Sequence, residues 1–446
     1  MKKYIKFNIL AMLLLGFLMV TSCETDFDNI NSASADEVFN SREGLFAVTI
    51  GMTQLYSTAG IQFLTETSAI TTREVAINST FLSLIELEDG GGSGLPNSNT
   101  RVAGQWSNLL RVMSIAEDIA ENTPNVDLEP GTSSALKAYA NLFRALSIGT
   151  LSQNFEQVII KTSLNNDAAF VARQAGFQEA IRLLEEANSL LSSNPVSDDF
   201  ESEILKDNID LANTIRAMLA RYNLFAGSYE AAIEAANSVD LSSSSEFTYD
   251  TQNPNPIWGR VFQNDAFDFL PQDNFGIPAS LNLDPTDGRL AFYLVSSNET
   301  SLNSFEIEEL AGFFKNDSDP IPVYLPDEMR LIIAEAELRK ASPSTSAALI
   351  QINAVRTDNN DVFGVNANIA TYSGLETVDA LLDEVFVNRR AELFLTGMSL
   401  EDSRRFERPE PSLTPMTFID ERNRNFYPYP VTERNNNPNT PADPSI

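Results

Sequence analysis

The sequence predicts a mainly α-helical fold, in which antiparallel helix pairs support an irregular portion that is rich in loops. In several long segments, apolar residues recur with the period of an α-helix. Short turns join some of these segments, and helices connected so closely pack against each other. Two stretches, 66–100 and 242–316, instead mix short apolar runs with Gly, Asn, Ser and Pro, which is typical of loops and short strands.

The clearest helix pair is predicted near the middle of the chain. Apolar stripes run along segments 211–225 and 229–239, and a short turn around Gly227 separates them. Alanines at the expected crossing points and aromatic residues that can pack between the helices make this pair resemble a tetratricopeptide hairpin. Segments 323–340 and 345–356 predict a second such pair. No strict repeat period is visible, so a regular solenoid is not expected.

The same periodicity predicts five further helices. Ser133 and Ser134 are expected to cap one of them, because a serine hydroxyl can accept a hydrogen bond from a free N–H group at a helix start. The five apolar stripes lie in 36–56, 101–122, 136–150, 177–191 and 377–396. Helices therefore form the scaffold, and the two loop-rich stretches are the expected place for recognition.

The first residues predict a targeting segment. Three early lysines precede an apolar run at 9–20, which is too short to span a bilayer and fits a signal peptide. Small residues then lead to Cys23, which resembles the lipid-attachment cysteine of a bacterial lipobox. We expect residues 1–22 to be a lipoprotein signal peptide and Cys23 to carry the lipid. An ordinary signal peptide before a cysteine is the alternative.

A polar tether is predicted between the lipid and the folded domain. Glu24, Asp26 and Asp28 follow the cysteine closely. This acidic stretch resembles the export signal that sends Bacteroidota lipoproteins to the outer face of the outer membrane, although a solvated tether would look similar. We expect residues 23–36 to be the lipidated tether and residues 37–446 to form the domain. The predicted location is the outer membrane, with the lipid as the only membrane contact and the domain facing the exterior.

Composition excludes several classes of function. The formal net charge is −32, so the surface repels nucleic acid and anionic membranes. The chain has no histidine and a single cysteine, which removes Ser-His-Asp and Cys-His catalysis and histidine metal ligands. No phosphate-binding glycine loop and no EF-hand calcium loop is present. We predict no catalytic residue, metal or cofactor, although a carboxylate-based glycosidase remains an alternative.

The C-terminal segment resembles the SusD/RagB family of outer-membrane nutrient-binding lipoproteins. Residues 388–394, with the sequence NRRAELF, are followed by Gly397 and by EDSRRF at 401–406, in the order of a family motif. Residues 427–438, YPYPVTERNNNP, resemble the closing motif of the family. Shorter matches occur at Gly51, Leu55-Tyr56, 287–289, 328–336 and 352–356. The order of these matches along the chain, together with the lipobox, makes the resemblance specific.

The resemblance implies a SusD-like fold, which is one α-rich domain of tetratricopeptide-like helix pairs with an irregular loop-rich portion. It also implies a partner, a TonB-dependent SusC-like transporter that the lipoprotein covers like a lid. Family members bind oligosaccharides or, in the RagB branch, peptides, and they are not enzymes. We therefore predict a glycan-binding lipoprotein, with an oligopeptide-binding lipoprotein or a scaffold without a small ligand as alternatives.

Recognition of a sugar requires exposed aromatic rings and polar hydrogen-bonding groups. Such residues occur after the first helix, where family members place loops, and in the second loop-rich stretch. The candidate ligand-binding residues are Arg73, Asn78, Phe81, Trp258, Phe267, Phe269, Phe275 and Tyr293. A core position is the alternative for each aromatic residue.

Other conspicuous residues are expected to be structural. Trp106 is predicted to lie in the core, and 427–430 are predicted to hold a turn under the loops. The charged residues of the C-terminal motif are predicted to tie the last long helix to its neighbours by ion pairs. They are Arg389, Arg390, Glu392, Asp402, Arg404 and Arg405.

Overall fold

The computed structural model describes residues 38–90, 94–281, 283–412 and 421–446. The predicted signal peptide, Cys23 and the tether lie outside the described residues. The described part of the chain is mainly helical, as the sequence predicts. None of its helices is both long enough and apolar enough to cross a membrane.

The described residues form sixteen α-helices, nine of which coincide with predicted stripes. They are α1 Arg42–Leu55, α2 Ile61–Thr71, α3 Leu82–Asp89, α4 Thr100–Asn122, α5 Pro130–Asn154, α6 Arg173–Ser193, α7 Asp198–Phe200, α8 Leu211–Phe225, α9 Tyr229–Asn237, α10 Pro256–Val261, α11 Gly288–Tyr293, α12 Pro326–Arg339, α13 Thr345–Arg356, α14 Val378–Glu392, α15 Ser399–Arg405 and α16 Val431–Asn436. A π-helical turn, Tyr56–Gly60, joins α1 to α2. The stretch predicted as loops at 66–100 contains the end of α2 and all of α3, so that part of the prediction is wrong.

Polar side chains cap several of these helices. Ser41 accepts a hydrogen bond from the backbone N–H of Gly44 at 3.1 Å, and Asp210 accepts one from Asn213 at 3.0 Å. The predicted capping role of Ser133 and Ser134 is wrong, because α5 begins earlier, at Pro130. Proline is favoured at the first position of a helix, where its missing N–H costs nothing.

Two helix pairs confirm the tetratricopeptide-like prediction. Helices α8 and α9 pack together across the turn at Gly227, whose φ of +76° favours glycine, and α12 packs on α13. Helices α5 and α6 form a further closely packed pair. The ring of Tyr222 on α8 fills the space left by the absent side chain of Gly149 on α5. At this crossing, the absence of a side chain at Gly149 lets α5 and α8 approach closely.

The strands form four short antiparallel ladders. They are β1 Val75–Ile77 with β5 Phe269–Pro271, β2 Gln157–Ile159 with β3 Phe170–Ala172, β4 Glu246–Phe247 with β8 Ile321–Pro322, and β6 Leu294–Thr300 with β7 Glu306–Leu310. In the first ladder, Val75 pairs with Pro271 and Ile77 pairs with Phe269. This ladder joins the two stretches that the sequence predicts as loop-rich.

The core confirms the structural roles predicted for Trp106 and for the C-terminal tyrosines. Trp106 is 2% exposed, and its Nε1 donates to the Glu433 carboxylate at 3.1 Å. Tyr427 and Tyr429 are fully buried, and the Tyr427 hydroxyl lies 3.0 Å from the Thr71 hydroxyl. The closing segment therefore anchors to the central helices and does not form a free tail.

The charged residues of the C-terminal motif also have the predicted structural role. Arg405 contacts Glu335 of α12 at 2.6 Å, and Glu392 contacts Arg289 at 3.2 Å. Arg390 donates from Nε to the Phe275 carbonyl at 3.0 Å. Each of these contacts joins α14 or α15 to a different element. Buried charge-assisted contacts therefore hold α14 and α15 in the fold.

Candidate functional site

The candidate site, which we call the Arg260 surface, combines one arginine with the Phe81 ring next to it and with two aromatic residues from the adjoining chain. It consists of Phe81, Trp258, Arg260 and Phe267. The pairing of β1 with β5 brings its two sequence segments together. That pairing continues past the strands, because the backbone N–H of Asn78 donates to the Asp268 carbonyl at 3.0 Å.

The short helix α10 positions two members of this surface. Asn255 is fully buried and caps α10, since its Oδ1 accepts hydrogen bonds from the backbone of Ile257 at 3.0 Å and Trp258 at 3.1 Å. Its side-chain amide also donates to the Phe313 carbonyl at 2.9 Å. The apolar residues of α10 are buried, while Trp258 and Arg260 are half-buried. The cap therefore holds α10 with these two side chains at the protein surface.

Arg260 is fixed by two buried carboxylates. Its Nε lies 3.0 Å from Glu66 Oε1, and its Nη2 lies 2.6 Å from Asp268 Oδ2. Glu66 is also paired with Arg101 at 3.2 Å, so the four groups balance in charge. Burial raises the pKa of Glu66, against the effect of the two arginines. The guanidinium group of Arg260 is 5.9 Å from the ring of Phe81, within the range of a cation–π contact.

Two aromatic residues of this surface are exposed, and the third, Trp258, is half-buried. Phe81 is 56% exposed and Phe267 is 36% exposed. Exposed aromatic rings give a binding surface at low cost in conformational entropy, because few torsions must be fixed. Phe267 has a φ of +42°, a strained conformation for a bulky residue, and its N–H donates to the Val261 carbonyl at 2.9 Å. The fold therefore holds this ring at the surface against its backbone preference.

Four of the predicted ligand-binding residues lie in the core. Phe269 and Phe275 are fully buried, Tyr293 is 1% exposed and Arg73 is 4% exposed. Phe275 and Tyr293 pack on the ring of Phe394 at 5.0 and 5.4 Å between centroids. Because these four side chains are buried, they pack in the core and do not line a ligand surface, so the prediction for them is wrong.

Contacts inside the protein hold the Arg73 side chain. Its Nη1 donates to the Glu88 carbonyl at 3.0 Å, and its guanidinium lies 5.6 Å from the ring of Phe305. Asn78 is half-buried, next to the Arg260 surface. Thus Asn78, Phe81, Trp258 and Phe267 remain candidates for ligand contact.

Sequence reasoning missed Arg260, Asp268 and Glu66. A signal for Arg260 was its position two residues after Trp258 in a loop-rich stretch. Glu66 is an acid inside the apolar helix α2, a position that requires a buried partner. Within the described ranges, no group of three or more His, Cys, Asp or Glu residues is arranged to hold a metal ion.

Comparison with solved structures identifies the fold. A SusD superfamily protein from Bacteroides thetaiotaomicron is 16% identical, has a TM-score of 0.67 and covers 90% of this chain and 99% of its own. One from Bacteroides vulgatus is 15% identical, with a TM-score of 0.68 over 90% and 98% of the two chains. A SusD-like carbohydrate binding protein from Bacteroides fragilis is 14% identical, with a TM-score of 0.67 over 90% and 99%.

The chain therefore has the SusD-like fold, as its sequence resemblance predicts. The matches extend over nearly the whole length of each solved structure. No protein-family model and no curated protein sequence matches the chain. The likeness is thus one of architecture, and the chemistry of binding depends on this chain's own residues.

Proposed function

We propose that this protein binds oligosaccharides at the cell surface and delivers them to a TonB-dependent SusC-like transporter in the outer membrane. The observation that carries the proposal is the Arg260 surface, which presents accessible aromatic rings on a SusD-like scaffold. The Bacteroides fragilis neighbour, named as carbohydrate binding, supports the same ligand class. The protein acts by binding alone and does not cleave its ligand.

The chemistry of the Arg260 surface suits a neutral sugar. Phe81 and Trp258 offer apolar faces on which a sugar ring can stack. Arg260, held by Glu66 and Asp268, supplies a charge that is already balanced, so the surface does not select for a charged ligand. Polar groups fixed in this way orient sugar hydroxyls without a further cost in side-chain entropy.

The proposed function also requires a lipid attachment to the membrane and a transporter as partner. Lipid at Cys23 anchors the chain to the outer membrane, the acidic tether after it directs the domain to the exterior, and the transporter receives the ligand. Proteolysis of intact cells separates this arrangement from a periplasmic scaffold, because only an exterior domain is cleaved. Copurification of a large β-barrel with the native protein tests the transporter partnership.

The decisive experiment is calorimetry of the full chain in neutral detergent against a panel of neutral oligosaccharides and oligopeptides. We expect saturable binding of at least one oligosaccharide, with no new reducing ends after prolonged incubation. Saturable binding of peptides alone would replace the glycan by a peptide ligand. Release of shorter sugars would contradict the non-enzymatic proposal and favour a carboxylate-based glycosidase.

A further inference from the structure

A cavity of about 240 Å³ lies on another part of the protein. Residues from three segments, 50–58, 204–209 and 246–253, supply nearly all of its lining. We call it the Asn208 cavity, after one of the residues that line it. No residue of the Arg260 surface belongs to this lining. The volume is below the usual range for small-molecule sites, so a ligand inside the cavity is limited to a single small ring.

Hydrogen bonds between the three segments fix the shape of the Asn208 cavity. The Tyr249 hydroxyl donates to the Ser57 carbonyl at 2.8 Å, which joins the third segment to the first. The backbone N–H of Glu246 donates to the Asn208 carbonyl at 2.9 Å, which joins the third segment to the second. Because its walls are bonded to one another, the cavity is formed before a ligand arrives, and binding requires little ordering of the chain.

Rare backbone conformations shape two of the walls. The described residues contain two π-helical turns, Tyr56–Gly60 and Glu201–Leu205, and both contribute residues to the lining. The second turn ends at Lys206, whose φ is +55°, and Asp207 follows with a φ of +59°. Left-handed backbone is unfavourable for both of these residue types. Such conformations and π-helical turns are concentrated at functional sites, which favours a role in binding for this cavity.

The polar lining offers hydrogen-bonding groups that the protein itself leaves unused. The side chains of Asn208 and Thr248 make no hydrogen bond to any described residue. Asn253 accepts a hydrogen bond at Oδ1 from Gln54 Nε2, while its own Nδ2 has no acceptor in the described ranges. Asn208 and Asn253 are half-buried and Thr248 is exposed, so solvent or a ligand can reach all three side chains.

Charged groups of both signs also line the cavity. Glu246 is half-buried, burial raises its pKa, and no lysine or arginine of the described chain pairs with it. Lys206 and Asp250 are exposed. Two carboxylates beside one ammonium group disfavour an anionic ligand. A neutral ligand with hydroxyl groups is suited to this mixture, because a hydroxyl can donate to a carboxylate and accept from an amide or ammonium group.

Apolar side chains complete the lining. Leu205, Ile209 and Phe247 are buried residues that border the cavity, and Ile50 is a partly exposed one. An apolar wall next to a few polar groups with free hydrogen-bonding capacity is typical of small-molecule sites. A sugar ring has both of the matching features, since its C–H groups form an apolar face and its hydroxyls project from the edge.

We propose that the Asn208 cavity is a second sugar-binding site, which holds one neutral sugar unit. Asn208, Thr248 and Asn253 bond the hydroxyls of that unit, and the apolar wall contacts its ring. A longer glycan extends out of the cavity, because the volume admits one unit only. The inference rests on the proposed function for its ligand class and adds to it a second place of binding.

Saturation-transfer NMR of the full chain in neutral detergent tests the proposal, with glucose, galactose, mannose and N-acetylglucosamine as separate probes. We expect saturable binding of at least one of these sugars. Sodium glucuronate should bind at least about threefold more weakly than the best neutral sugar, because Glu246 and Asp250 repel its carboxylate. Absence of saturable binding by all four neutral sugars would overturn the proposal, and equally tight binding of glucuronate would overturn the neutral ligand.

Substitution of Asn208 locates the bound sugar. Asn208→Ala removes a side chain that bonds no described residue, so it should fold normally and weaken sugar binding about three- to tenfold, the value of one hydrogen bond. Asn188→Ala is the matched control, at a half-buried asparagine of α6 outside the lining, and should leave the affinity unchanged.

A variant of the Arg260 surface separates the two sites. Phe81→Ala should leave binding of the single sugar unchanged, since Phe81 does not line the Asn208 cavity. Binding that is weakened by Phe81→Ala and not by Asn208→Ala would overturn this inference and leave the proposed function intact. Binding that depends on Asn208, in a protein whose Arg260 surface binds no oligosaccharide, would support this inference and contradict the role proposed for that surface.

Discussion

Arg389 on α14 holds Asp402 on α15 through two parallel contacts, from Nε to Oδ2 at 2.8 Å and from Nη2 to Oδ1 at 2.9 Å. Both side chains are almost fully buried. Asp402 also accepts a hydrogen bond from Arg405 at 2.7 Å. One carboxylate therefore bridges two buried arginines, one on α14 and one on α15.

Asp402→Ala should therefore destabilise the protein strongly. Removal of one partner of a buried ion pair leaves an uncompensated charge and costs about 3–5 kcal/mol. Glu186→Ala is a suitable control, because it breaks the exposed pair with Arg182 and should cost less than about 1 kcal/mol. Urea unfolding measures both values. Similar losses for the two variants would contradict the structural role of Asp402.

Gly149→Ala tests the contact between α5 and α8. An added Cβ would lie 2.2 Å from the ring of Tyr222, and we expect a loss of about 1–3 kcal/mol from overpacking. Gly51→Ala is the matched control at an exposed position of α1, where nothing lies within 4 Å of the added Cβ. It should raise stability by about 0.5–1 kcal/mol, because alanine favours a helix. Thermal unfolding should move in opposite directions for the two variants.

We expect the buried carboxyl group of Glu74 to make stability depend on pH near neutrality. The carboxyl group is buried 3.9 Å from Arg390 and accepts a hydrogen bond from Ser399 at 3.0 Å, and burial raises its pKa to about 7. Because this pKa is above that of the unfolded chain, the folded state binds more protons between pH of about 4.5 and 7. The contribution of Glu74 to stability is complete below that window and is lost as pH rises through it.

Glu74→Gln should remove this dependence. The unmodified chain should lose stability relative to Glu74→Gln as pH rises, by up to about 1.4 kcal/mol per pH unit. Unfolding by urea at pH 5, 6, 7 and 8 gives the difference directly. Asp327, whose pKa burial also raises to about 7, contributes in the same direction in both proteins and cancels in that comparison. A difference that is constant with pH would contradict the assignment.

Phe81→Ala and Trp258→Ala test the Arg260 surface. Loss of one stacking ring should weaken oligosaccharide binding about tenfold, equivalent to about 1.4 kcal/mol. Phe81 is more than half exposed, so Phe81→Ala should leave the unfolding temperature nearly unchanged. Leu164→Ala, at a fully exposed leucine outside this surface, is the control for affinity. Wild-type affinity in both aromatic variants would remove the Arg260 surface from the proposed function.

Local sequence was sufficient for much of the helical scaffold. The predicted bounds of α8 and α13 agree with the structure, because their apolar period, their short turn and their capping residues all lie within a few residues of one another. The burial of Trp106 and the structural role of the charged C-terminal residues were also predicted, because these residues resemble structural positions of the SusD/RagB family.

The tertiary structure alone decided which aromatic residues form the candidate site. Phe267 and Phe269 are separated by one residue, yet the first is exposed and the second is buried. That difference arises because Phe269 pairs with Ile77, from a distant part of the chain, and so faces the core. Arg260 likewise owes its position to Glu66. The sequence by itself determined most of the long helices and their order. Long-range pairing determined which side chains reach the surface, because exposure depends on partners that no local pattern contains.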